Sequence, residues 1–282
     1  MMRGPHAYTV AVRKPDGTIT TKVETTGGLF RSRPFKVFPL RGIAALIDTF
    51  SVGMRALSFS AQEAGGEEEA MGKKEFALSL VFAAVFVIIF FIALPVLLSS
   101  MIKGYIGQSY LRSFLEGLIR ITIFIMYIAV IGRMKDIKRV FQYHGAEHKV
   151  IHTYEADKEL TADNALKYSP LHVGCGTAYL MMVMIIAILI FSFIPKTTIP
   201  IRMLIQLILI PVIAAISYEV TRLSRRFENS IIIRIFMAPG LMLQKLTAQE
   251  PDKGQIEVAI TALNSLLEIE NAETREQITD NG

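Results

Sequence analysis

The sequence predicts a mainly α-helical, polytopic membrane protein with about four transmembrane helices, a cytoplasmic N-terminal β-hairpin and cytoplasmic helical elements. Three observations predict it. Of the 282 residues, 52% are hydrophobic, more than a soluble domain of this length usually carries. Four long apolar segments recur between residues 76 and 218. Lysine and arginine concentrate in alternate segments between them.

Residues 1–75 form the first region. Tyr8, Val10 and Val12 alternate with polar residues, Pro15-Asp16-Gly17 supplies a turn, and Ile19 and Val23 continue beyond it, the pattern of a hairpin. A basic stretch from Arg31 to Arg41 follows. Ile43, Ile47, Phe50, Met54 and Leu57 then recur at helical spacing, which predicts an amphipathic helix. Asp48 and Arg55 argue against its spanning a bilayer, so it is expected to lie in the interface or to pack on the cytoplasmic region. Residues 63–74 are an acidic, glycine-containing linker.

Residues 76–218 form the membrane domain. Phe76–Ile102 carries no charged residue and exceeds the roughly 20 apolar residues a crossing needs. Phe114–Gly132 carries Glu116 and Arg120, four apart in the order that pairs on one helix face. His172–Pro195 has a continuous apolar core from Tyr179 to Ile194. Met203–Tyr218 reaches spanning length if Ile201 joins it and Arg202 snorkels to the headgroups. Between the second and third spans lies a histidine-rich loop, 133–174.

Residues 219–282 form the last region. Ile231–Leu246 is apolar but interrupted by Arg234 and Pro239-Gly240, which predicts an interfacial or re-entrant element. Gln255–Glu270 places Ile256, Ile260, Leu263 and Leu267 at helical spacing, a soluble amphipathic helix, with a frayed tail beyond Asn271.

Four spans put residues 1–77, 133–174 and 218–282 on one side, with 25 of the 30 basic residues, against 5 in 99–120 and 195–202. The positive-inside rule makes that side cytoplasmic, both termini included. None of the four spans is expected to be a cleaved signal peptide, because 75 polar or amphipathic residues precede the first. A single cysteine excludes an intrachain disulfide. No glycine-rich phosphate loop or aromatic-basic interleaving points to nucleic acid, and anionic lipid accounts for the basic patches.

The segment "YHGAEHKVIHTYEA", 143–156, holds three of the five histidines. On a helix turning roughly 100° per residue, His148, His152 and Glu155 fall within about 80° of His144, and Glu147 lies about 60° to the other side. His144 and His148 at i and i+4 can reach one metal ion. Residues 144–148 read H-x-x-E-H, the inverted zinc-protease pattern. There the imidazoles hold a divalent ion, zinc first, and Glu147 takes a proton from the attacking water. Glu219, at the end of the last span, is the leading third ligand, followed by His172, with Cys175 nearby in "LHVGCG". The plain alternative is a solvated helix surface, with Cys175 packing between glycines and Glu219 paired to Arg222 or Arg225. Four histidines and the only cysteine between 144 and 175 favour a metal or proton-handling site.

The segments "MMRGP…AVRKPDG", "PLRG", "FQYHGAEHKVIHTYEA", "LHVGCGTAYL" and "PGLMLQKLTAQEPD…QIEVAI" resemble the YqhQ-like family of bacterial membrane proteins over nearly the whole chain. That family is described only as predicted metal-dependent enzymes. The resemblance implies a bacterial inner-membrane location and marks His144, Glu147, His148, Tyr154, Glu155, His172 and Cys175 as motif positions. Beside these, His152, Glu155, Cys175 and Tyr154 are expected as supporting or alternative ligands. Relatives carry a further glycine-containing segment before "MMRGP", so a longer native N-terminus is expected.

The expected function is a metal-dependent hydrolase at the cytoplasmic face of the inner membrane, acting on peptide bonds, lipid-linked esters or phosphoesters. The alternative is a non-enzymatic scaffold or helper in membrane-protein insertion or transport, with membrane lipid and a membrane protein as partners. Few charges inside the spans disfavour a transporter.

Overall fold

The structure, a computed structural model, describes residues 1–25, 40–65, 73–101, 109–172, 176–194, 197–226 and 231–280. Most of the basic stretch, the linker and Cys175 lie outside them.

The N-terminal hairpin pairs β2 (Ala7–Arg13) with β3 (Ile19–Thr25), Arg13 opposite Ile19. Gly17 adopts φ +87° in the turn, a conformation that favours glycine, and Asp16 accepts from the Thr18 amide at 2.9 Å. A third strand, β1 (Met2–Arg3), adds antiparallel to β2; two residues are too few to show an alternation in sequence. Both faces of β2 are covered. Tyr8, Val10 and Val12 meet Val52 and Ala56 of α1 (Leu40–Gly65). Ala7 meets α5 (Lys135–Glu155) and α10 (Lys253–Asp280), and the Thr9 hydroxyl donates to Ala262 O at 2.6 Å.

That second face is one core built from three distant parts of the chain: Ala7, Ala146 and Val150, and Ile256, Ala259, Ala262 and Leu263. Burying a residue such as Ile256 in full contributes about 1.5–3 kcal/mol. Helix α10 starts with a reciprocal cap, Gln255 N to Asp252 Oδ1 at 2.8 Å and Asp252 N to Gln255 Oε1 at 2.9 Å. It runs to Asp280, through the tail expected to fray.

The amphipathic helix forms as α1, and its apolar stripe is not the face that packs on the protein. Small residues, Ala44, Ala45, Val52 and Ala56, are buried, whereas Ile47, Phe50 and Leu57 are exposed. Small side chains let the backbone come close: a Cβ on Gly42 would sit 2.5 Å from Ala215 Cα.

The apolar bundle contains α2 (Lys73–Ile88), a π-helical turn (Ile89–Ala93), α3 (Leu94–Met101), α4 (Ser109–Ile131), α7 (Gly176–Ser192) and α8 (Ile199–Arg226). Four helical stretches among the described residues are long and apolar enough to cross a membrane: Leu40–Gly65, Ala77–Met101, Phe114–Ile131 and Ile199–Leu223. Three of them fall on expected spans. The remaining expected span is α7, whose described apolar part, Met182–Phe191, is shorter. It forms the bundle centre, with Met182, Ile186 and Phe191 buried against Ile213. Arg202 does not snorkel. It is 3% exposed and pairs Glu116 at 2.9 Å, because Glu116 offers it a carboxylate inside the bundle. The apolar C-terminal stretch is one helix, α9 (Ile231–Thr247), which continues through Pro239.

Candidate functional site

Helix α5 starts after a turn at the end of α4. Gly145, which weakens the helix on propensity, is required by packing: a Cβ there would lie 1.9 Å from Gln249 O. That approach lets Gln249 N donate to Phe141 O at 2.9 Å, which ties the 247–250 turn to α5. Beyond Glu155 the chain reverses at Asp157 (φ 50°), passes the short helix α6 (Ala162–Ala165) and returns along α5. The buried Lys149 ammonium holds this return, donating to Leu166 O at 3.2 Å and Tyr168 O at 2.6 Å and pairing Glu250 at 2.9 Å.

The returning segment places His172 among the α5 histidines. Ring centroids lie 4.3 Å apart for His144 and His148, 5.8 Å for His148 and His172, and 4.6 Å for His172 and His152. Each α5 imidazole is anchored to a backbone carbonyl: His144 Nδ1 to Thr247 O at 2.7 Å, His148 Nδ1 to Pro170 O, and His152 Nε2 to Leu171 O at 2.9 Å. A carbonyl only accepts, so the facing nitrogen carries the proton. In neutral His148 and His152 the second nitrogen, Nε2 and Nδ1 respectively, is therefore the lone-pair atom.

His172 is fixed through its backbone. Its amide donates to Gln244 Oε1 and its carbonyl accepts from Gln244 Nε2, both at 2.9 Å. Gln244, on α9, is fully buried. The His172 ring Nε2 lies 3.0 Å from Glu155 Oε2, and His152 Nδ1 is 3.9 Å from the same oxygen. Ligand atoms of His152, Glu155 and His172 all fall within 4.8 Å of one another, the one such group among the described residues. Glu155 is 54% exposed and His172 12%, so the group opens to solvent on the carboxylate side.

The other expected site residues sit apart. Glu147 meets the Met1 amino group and lines a cavity beside Val12 and Tyr143. Glu219 accepts from Arg41 Nε and Nη2 on its two carboxylate oxygens, joining α8 to α1. Tyr154 is exposed. His144 and His148 join the imidazole row but not the three-ligand group. Lys149 and Gln244, which orient the site, carried no signal in the sequence: one reads as a surface lysine and the other as a polar residue in an apolar stretch.

Two imidazoles and a carboxylate are donors that suit zinc, and second contacts from imidazole to carbonyl are typical of metal ligands. A helical membrane protein with such a cluster at one end of its bundle is the class that fold and site define. The family model for "Protein of unknown function (DUF1385)" matches residues 38–269, and the chain belongs to that family. It is also similar to the "Uncharacterized protein YqhQ" of Bacillus subtilis (strain 168), 32% identical over 289 residues, covering 96% of this chain and 90% of that one. No solved structure matches the chain.

Proposed function

We propose that the chain is a metal-dependent hydrolase of the bacterial inner membrane, with His152, Glu155 and His172 holding a divalent ion, zinc first, at the cytoplasmic face. The observation that carries this is the convergence of the three donors within 4.8 Å, with His152 oriented from behind by Leu171 O and His172 by Gln244. Bound there, zinc supplies Lewis acidity for hydrolysis. Gln244 sets the depth of His172, and the carbonyls of Pro170 and Leu171 fix the tautomers of His148 and His152. His148 offers its second nitrogen as a proton acceptor next to His172. This reading gives Glu155 the ligand role expected of Glu219 and leaves Glu147, which meets the Met1 amino group, outside the metal group. A site at the end of a helical bundle suits a bond that reaches the interface, in a lipid-linked ester or phosphoester or in a membrane-proximal peptide.

The shared core supports the same-side placement that this orientation needs. β2, α5 and α10 bury side chains against one another, so an even number of crossings separates each from the next. The α2–α3 unit with α4, and α7 with α8, meet that condition. Helix α1 then stays on the side of the sheet that covers it. The basic-residue asymmetry makes that side cytoplasmic.

A scaffold or insertion helper is the second reading, favoured by the exposed stripe of Ile47, Phe50 and Leu57 on α1. Metal analysis of chelator-washed, zinc-reloaded protein separates the two. The hydrolase reading expects about one ion per chain, lost in His152→Ala and His172→Ala and kept in Glu219→Gln. A metal content that none of these substitutions changes, or no retained metal, abandons it for the scaffold.

A further inference from the structure

We infer that an anionic phospholipid seats beside the start of α5, its phosphate on a basic cleft and one acyl chain in the cavity between α1, β2 and α5. This goes beyond the hydrolytic reading and does not depend on it.

Two hollows adjoin at this place. The cavity measures about 420 Å³ and is walled mainly by apolar side chains, among them Val12, Ala56, Leu57, Val140 and Val258. The cleft measures about 550 Å³ and carries Arg13, Lys135, Lys138 and Arg139. Arg13, Asp136, Arg139 and Tyr143 line both. Each is of the size that small ligands fill, roughly 300–1,000 Å³.

The charges are not equivalent. The Arg13 guanidinium is committed to Gly254 O at 3.0 Å and Glu257 at 2.9 Å, so it builds the wall. Among the described residues, Lys135, Lys138 and Arg139 have no carboxylate within ion-pair distance, and Arg139 lies over the Tyr143 ring at 6.0 Å. Asp136 and Asp252, which also line the cleft, offset part of this charge and leave the balance positive. An anion is the complementary ligand.

The apolar side identifies a lipid as its carrier. Leu57 is 60% and Val140 54% exposed while both line the cavity, so its mouth is apolar and faces outward. Lys135 follows the last residue of α4, Ile131, by four positions, which holds the cleft at the depth where a membrane helix ends. Basic residues directly beyond a membrane helix recruit anionic headgroups. The cavity also has room: a Cβ built on Gly53, which lines it, meets nothing within 4 Å.

The test uses the full chain in nanodiscs with phosphatidylglycerol carrying a photoactivatable group in its acyl chain, with cross-links mapped by mass spectrometry. Cross-links are expected in residues 53–64 and 136–147. Lys135→Gln with Arg139→Gln should lower them about tenfold or more, as the loss of two cations from a membrane surface implies. Gly53→Phe, which fills the cavity from open space, should lower them while the thermal midpoint holds, and Ser60→Leu replaces it if that variant does not fold. Unchanged cross-linking in the cavity-filling variant overturns the proposal, as does equal labelling by phosphatidylcholine. Competition by glycerol phosphate alone would identify soluble phosphate as the ligand and overturn the lipid assignment; a peptide co-purifying in the cavity would do the same.

Discussion

Glu116 and Arg202 meet at 2.9 Å in the interior of the helical bundle, with side chains 2% and 4% exposed. The same carboxylate accepts from Gln206 at 2.6 Å and Arg120 at 3.3 Å, and Arg120 Nε reaches Phe91 O in the π-helical turn at 2.8 Å. One carboxylate thus joins α4 to α8, and Arg120 joins both to the turn between α2 and α3. Glu116→Gln leaves two guanidiniums buried beside a neutral amide, and removing one partner of a buried pair costs about 3–5 kcal/mol. Thermal unfolding in detergent should show a large loss. Exchanging all three charged groups, Glu116→Leu with Arg120→Met and Arg202→Met, should recover most of it.

At the proposed metal site Lys149 would act as a positioning residue, because it holds the chain that returns to His172. Lys149→Met removes the donor to Leu166 O and Tyr168 O, each worth about 1.5–3 kcal/mol as a charge-assisted bond. The expected result is a lower zinc affinity without loss of a ligand, and faster hydrogen exchange over residues 158–172. Lys149→Arg should recover part of both. Normal exchange in the methionine variant would refute this role.

Acid sensitivity of the sheet should trace to Glu24. Hydrogen bonds from Lys22, then Tyr8, hold its carboxyl down at about 2. A depressed pKa contributes stability that is complete above the ordinary value near 4.5 and is lost as pH falls through about 2. Tyr8→Phe removes one of those donors. Its acid unfolding midpoint, followed by circular dichroism, should move to higher pH.

The topology has a direct test. In a Cys175→Ser background, a cysteine at Thr197 should react with an impermeant maleimide from outside intact cells, and one at Asp157 should not. Both positions are exposed, so protection reports the membrane. Labelling at Asp157 alone would reverse the orientation.

Periodicity made the helices and the hairpin legible, because 3.6- and 2-residue repeats are local properties. It left a choice open where the partner was unknown. On α1 the large apolar stripe could meet the membrane interface or the protein; alanines pack inward and Ile47, Phe50 and Leu57 face out. The histidine stripe was legible for the same local reason. His152 with Glu155 and His172 was not separable from His144 with His148, because the choice depends on where Lys149 and Gln244 bring residue 172. Glu219 looked available at the end of a span, and only the fold brings Arg41 to it.

The core that joins Ala7 to Ile256 and Leu263 also constrains biosynthesis. The N-terminal sheet leaves the ribosome before α10 and cannot bury its second face until α10 emerges, on the order of ten seconds or more later at roughly 5–20 residues per second. Through that interval the strands must be shielded by α1, the membrane surface or a chaperone. Fusions or truncations that delay α10 should therefore expose an adhesive strand edge, and quality-control proteases would meet the nascent chain at the sheet before they meet it at α10.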